Sequence, residues 1–210
     1  CPQVANVRPC VSLLLALAAC SAEAVEFEEP LPNRPNRPAA CRSVEAGVDL
    51  QNLLDDATSG ASVCLEPGSY AGPLVVRRPV VLWGSSQAVI RSSGKGTTIE
   101  VEAQGSSLLG FTVDGSGGRF DTLDAAVHIV ADDVRVEGLL VRNAAFGLLV
   151  EKANRASIVG NLVLGPDEGP LGLRGDGIRL WETRDSEVRD NRVVGSRDMV
   201  IWYSSNNRLL

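Results

Sequence analysis

A chain of 210 residues, 44% hydrophobic and 22% charged, has enough apolar material for one sizeable core and is not generally disordered. Its 20 Lys and Arg are scattered among 26 Asp and Glu, giving a net charge of -6. Neutralising phosphates requires a basic face, so nucleic acid is not an expected partner.

The first element is the run VSLLLALAACSAEA (11–24), which has Arg8 upstream and small residues at its end. It reads as a secretory signal peptide over 1–19 and is too short to span a bilayer. Leu17-Ala18-Ala19-Cys20 resembles the bacterial lipobox, so Cys20 is expected to carry lipid and begin the mature chain. That predicts an exported, periplasmic lipoprotein anchored at the outer membrane. Residues 20–40 combine acids with four Pro and are expected to form an extended tether. In an oxidising compartment Cys41 and Cys64 are expected to pair, closing a loop of about 20 residues and contributing about 3 kcal/mol. A two-cysteine metal site would need closer spacing and His companions.

The folded part is expected to begin near Cys41, with an N-terminal cap over 41–60. Within it, Val48, Leu50, Leu53 and Leu54 fall at helical spacing and predict a short amphipathic helix covering the open end of the strand region beyond it. From 61 onward the pattern is strands and turns. Four segments align without gaps: LLGFTVDG (108–115), VEGLLVRN (136–143), IVGNLVLG (158–165) and VRDNRVVG (188–195). Val113, Val141, Val163 and Val193 occupy the same place in each. A second set of strands starts at Ile99, Val127, Leu148, Ile178 and Val200, separated by 28, 21, 30 and 22 residues. Apolar residues alternate with period two, and Gly, Asn, Asp and Ser break the runs.

Such a unit cannot bury its own apolar side, so coils must stack with parallel pairing of equivalent strands. The prediction is an all-β, right-handed parallel β-helix, a pectate-lyase-like solenoid filling 61–210. Asn161 and Asn191 fall at equivalent corners and are expected to form an internal ladder. The next Gly-Asn corner falls beyond Leu210, so the chain is expected to stop in mid-coil and to belong to a longer protein.

Taking Val127/Ile129, Leu148/Val150, Ile178/Leu180 and Val200/Trp202 as inward predicts an outward column. It comprises His128, Val130, Leu149, Glu151, Arg179, Trp181, Ile201 and Tyr203, with Trp181 and Tyr203 stacked one coil apart. A partly apolar outer face is a candidate surface for protein or sugar rings, its members being His128, Arg179, Trp181, Ile201 and Tyr203. The insertions 116–124 and 166–175 leave from the same corner. Their acids, Asp121, Asp124, Asp167 and Glu168, with Asp176 beside them, are expected to be solvated, since a hard cation needs six to eight oxygens in defined geometry. No catalytic or metal-ligating constellation is legible. The alternative is a carbohydrate-active β-helix, a lyase, epimerase or hydrolase acting on acidic polysaccharide, with His128 and Arg179 as the residues to test.

The segment GDGIRLW (175–181), with Arg197-Asp198 and Trp202-Tyr203-Ser204, resembles coils of the NosD family of periplasmic β-helix proteins. The resemblance covers about residues 62–210. It implies a non-enzymatic accessory role in copper-site maturation of nitrous oxide reductase, with an ABC transporter and a copper enzyme as partners. Copper is implied by that resemblance alone, because the mature chain offers few soft ligands beyond His128 and Met199.

Overall fold

The structure is a computed structural model describing residues 33–167 and 169–210, all within one compact unit, Leu31–Leu210. The expected signal peptide over 1–19, Cys20 and Glu168 lie outside the described residues.

Short runs of β-branched and aliphatic residues, interrupted every few positions, give strands of two to six residues and little else. They assemble into three sheets, one of eight strands and two of six, in which every pairing is parallel. From Ala61 onward consecutive strands fall in different sheets, so the chain completes a circuit before each strand meets its equivalent, and parallel crossovers of this kind are right-handed. The fold is a right-handed parallel β-helix. Side chains alternate in and out, and equivalent inward residues stack in files. One file runs Tyr70, Ile90, Val113, Val141, Val163, Val193, and another Val63, Leu82, Leu108, Val136, Ile158, Val188. Most members of both files are buried, and they fill the centre as one core.

The last coil departs from the expected register. Ile178, Leu180 and Trp181 pair with Met199, Ile201 and Trp202, so this coil is 21 residues long at that point and not 22. Met199 and Ile201 therefore continue the inward files, while Val200 and Trp202 face outward. The sequence Met-Val-Ile-Trp is apolar at all four positions, so alternation cannot fix its phase. A slip of one residue exchanges the two faces.

At the other end, the strand Arg42–Val44 lies parallel to Ala61–Leu65 and is followed by the helix Leu50–Asp55. Asp49 caps the helix, its Oδ1 accepting from the Asn52 backbone N–H at 3.0 Å. Leu50 and Leu54 turn into the core, whereas Val48 stays outside the helix and exposed. Gln51 replaces a missing strand for the edge strand Leu74–Val76. Its Nε2 donates to the Val75 carbonyl at 3.1 Å, and its Oε1 accepts from the Val75 N–H at 2.8 Å. Edge groups that would otherwise invite another chain are thus satisfied within the cap. Cys41 and Cys64 form a disulfide that ties the cap to the first full coil.

Residues 33–40, expected as the end of a free tether, are extended but docked. The Trp83 indole N–H donates to the Pro35 carbonyl at 2.9 Å, and the guanidinium groups of Arg34 and Arg37 sit 5.6 and 5.5 Å from the Trp83 ring centre. The strap also crosses two glycine corners. A Cβ at Gly138 would lie 2.7 Å from Asn33 O and 2.8 Å from Pro35 Cδ, and one at Gly110 would lie 3.0 Å from Arg34 Cγ. Composition could not reveal this docking, because the glycines that receive the strap are distant in sequence. Gly138→Ala is expected to speed amide exchange over 33–40 by about tenfold or more while the central coils keep their protection. Unchanged exchange in that segment would show that the strap is not seated on Gly138.

Polar groups at the corners are satisfied coil to coil. Asn161 Nδ2 donates to Asn191 Oδ1 at 2.9 Å and to the Val136 carbonyl at 3.1 Å, while Asn161 Oδ1 accepts from the Leu139 N–H at 2.9 Å. A second ladder, not evident from the repeat, joins the Ala156 N–H to Ser186 Oγ and the Ser186 N–H to Asn207 Oδ1. Outside, the Asp132-Asp133 turn is clamped by Arg155 of the next coil. The Arg155 side chain, helped by Gln104, holds the Asp133 carboxyl down at about 2.

Candidate binding groove

The six-stranded sheet running from Leu74–Val76 through Ile99–Val101, Ala125–Ile129, Phe146–Glu151 and Ile178–Trp181 to Met199–Trp202 presents its outer face as files of side chains. Glu100, His128, Leu149, Arg179 and Val200 form one file. Glu151, Trp181 and Trp202 form the next. The residue after each of these strands turns the corner in the left-handed region. Lys152 has φ 52°, Glu182 53° and Tyr203 51°. Non-glycine residues rarely adopt this conformation, and here it places three side chains along the rim of the same face.

Between these files lies a groove of about 380 Å³, lined by Leu123 from the first insertion together with Leu149, Glu151, Lys152, Arg179, Trp181 and Glu182. Trp181 is its aromatic element. Its ring meets Trp202 edge-to-face at 5.4 Å and Tyr203 at 5.1 Å, and its indole N–H donates to Glu182 Oε1 at 3.1 Å. The Arg179 guanidinium lies 4.8 Å from the Trp181 ring centre and 5.1 Å from that of Trp202. It is held from behind by Asp176, whose Oδ2 is 3.6 Å from Arg179 Nη1. The Asp176 side chain is fully buried, and its other oxygen accepts from Arg197 at 2.7 Å, a bond that keeps Arg197 protonated more firmly than an ordinary guanidinium. Glu151 stands between two bases, His128 Nε2 at 3.2 Å and Lys152 Nζ at 3.6 Å.

Of the residues expected on this face, His128, Arg179 and Trp181 are gathered around the groove and Tyr203 stands at its rim. Ile201 belongs to the interior file, and Trp202 takes the outer position assigned to it. Sequence reasoning missed the contributions of Lys152, Glu182 and Leu123 and the support from Asp176. The signal for two of them was the residue following each outward strand end, in VEKA and LWET, which a period-two reading treats as turn.

The loop acids do not converge. Asp121 pairs with Arg119, Asp124 accepts from the Thr122 hydroxyl at 2.6 Å, and Asp176 is engaged by two arginines. Among the described residues no group of three or more His, Cys, Asp or Glu could hold a metal ion. No helix among them is long and apolar enough to cross a membrane. Both insertions do leave from one corner, and the Phe120 ring of the first packs on Phe146 at 5.2 Å.

Fold and groove together define a parallel β-helix protein with an aromatic-lined groove on one outer face. No family model matches the chain. Two relatives named probable ABC transporter binding protein NosD do: one from Pseudomonas aeruginosa, 30% identical over 136 residues, and one from Stutzerimonas stutzeri, 28% identical over 140. The matches cover 64% of this chain, which spans 32% and 31% of the length of those relatives. A pectin methylesterase from Aspergillus niger superposes with a TM-score of 0.43 at 12% identity, covering 84% of this chain and 87% of that one. The chain is a parallel β-helix similar in sequence to these NosD proteins.

Proposed function

We propose that this chain is part of an exported, non-catalytic accessory protein that docks an ABC transporter, or the copper enzyme it serves, through the outer aromatic strip. The single observation that carries this reading is the outward cluster of Trp181, Trp202 and Tyr203, in which the Trp181 ring lies 5.4 and 5.1 Å from the other two, on a chain whose sequence relatives are named probable ABC transporter binding proteins. Large exposed aromatics on a fixed scaffold are what partner surfaces use as anchors. The Cys41–Cys64 disulfide supports an oxidising compartment. A lipid anchor at Cys20 belongs to the same proposal.

Among the described residues the side chains do not make a copper site. Soft copper ligands are thiolates, thioethers and imidazoles, and the described cysteines are oxidised to a disulfide, while His128 pairs with Glu151 and Met199 falls on the opposite face of the sheet from it. The accessory role proposed is therefore contact with partners and not metal holding by these coils.

The test is cross-linking of the full chain in its native membranes, with the captured species identified. An ABC-transporter membrane subunit is expected, and Trp202→Ala with Tyr203→Ala is expected to cut its recovery by about fivefold or more. Recovery of no transporter component, or recovery indifferent to the two substitutions, overturns the reading.

A further inference from the structure

The groove beside the aromatic strip has a ligand chemistry of its own, independent of the docking role. We propose that it is a binding site for a neutral saccharide, with one pyranose ring seated against Trp181 and its hydroxyls met by Glu151, Lys152, Arg179 and Glu182. Three observations lead there. The first is size and shape: about 380 Å³ lies at the lower end of small-ligand pockets, room for a ring or two and far too little for a folded partner.

The second is the mixture of surfaces. An indole, Leu149 and Leu123 supply the apolar part, and the polar part alternates acceptors with donors: two carboxylates, an ammonium and a guanidinium. A pyranose carries C–H groups on its faces and a rim of hydroxyls that each donate and accept. It uses both kinds of wall at once, with no group left unpaired on either side.

The third is charge. The two cations of the lining are equalled in number by its two carboxylates, and both cations already have partners: Lys152 lies 3.6 Å from Glu151, and Arg179 lies 3.6 Å from Asp176 behind the groove. An anionic sugar would have to draw Arg179 or Lys152 away from an existing partner and would meet Glu151 and Glu182 at close range. Like charges brought together in this way count against a ligand. This distinguishes the site from one built for uronate polymers, where an unpaired cation faces the groove.

The experiment is calorimetric titration of the mature full-length protein with cellotriose, maltotriose and mannotriose, and with trigalacturonate. At least one neutral trisaccharide is expected to bind saturably, at least about tenfold more tightly than trigalacturonate. Trp181→Ala should weaken binding about tenfold or more. Glu182→Gln, which preserves shape and the acceptor oxygen while removing the charge, should weaken it by less. Trp83→Phe, on a different sheet, should leave it unchanged. The inference fails if no neutral trisaccharide saturates, if trigalacturonate binds equally well, or if Trp181→Ala and Glu182→Gln, both with unchanged melting temperature, bind as the parent does. Partner capture is read with Trp202→Ala and Tyr203→Ala, so loss of one activity does not imply loss of the other.

Discussion

Asn161→Ala is expected to lower the unfolding free energy by about 3–5 kcal/mol, the largest effect of any single side-chain truncation at a corner. Asn161 is 1% exposed, and its amide serves three groups: the Leu139 N–H, the Val136 carbonyl and Asn191 Oδ1. Truncation leaves a backbone donor and a backbone acceptor without partners in a closed corner, at about 1–3 kcal/mol each. The small cavity adds to that. Asn161→Asp does not rescue, because it keeps the acceptor but removes both donors and buries a charge. Asn191, in the same ladder, is only half-buried, so water replaces part of what Asn191→Ala removes and its cost is smaller. Urea unfolding of the two variants measures the difference. A loss below about 1 kcal/mol for Asn161→Ala would mean that the corner admits water and that the ladder is not sealed.

The second large effect is at the cap. Reducing the disulfide, or replacing Cys41 and Cys64 by Ala, is expected to cost about 3 kcal/mol, from the entropy of a loop with a sequence separation of 23 residues. The damage should be regional. In a stacked solenoid each coil depends chiefly on its neighbours, so amide exchange is expected to rise over Arg42–Val44 and the helix Leu50–Asp55 and to remain low at Val136 or Ile158. Calorimetry would show a separate early transition for the cap. A single cooperative shift with uniform exchange would mean that the cap and coils melt as one body.

The architecture was legible because its cause is repetitive. Val113, Val141, Val163 and Val193 mark one interior file, and the Gly or Asn beside them marks the corner that file needs, so the stacking and the Asn161–Asn191 contact both follow from spacing. The helix was legible from Leu50 and Leu54, although Val48 proved to be outside it. What stayed hidden had no periodic signature. The strand Met199–Trp202 is apolar throughout and gave the wrong face to Ile201. The strap is held by Trp83, Gly110 and Gly138, three positions tied to it only through space. The groove was half visible: His128, Arg179 and Trp181 came from alternation, but Lys152 and Glu182 sit in left-handed corners where alternation stops, and buried Asp176 reads as one more loop acid. The outer surface of the sheet could be read only as far as the strands run.

Those corners give the molecule an unusual route to change. Because each of the last three laps contributes one rim side chain from an already left-handed position, Lys152, Glu182 and Tyr203 can be exchanged singly without redrawing the backbone above or below. Asn and Gly, which favour that geometry, would be accepted with relief of local strain. The binding proposed for this face would therefore be modular along the axis: selectivity could drift lap by lap while the interior files, and with them the fold, stay fixed.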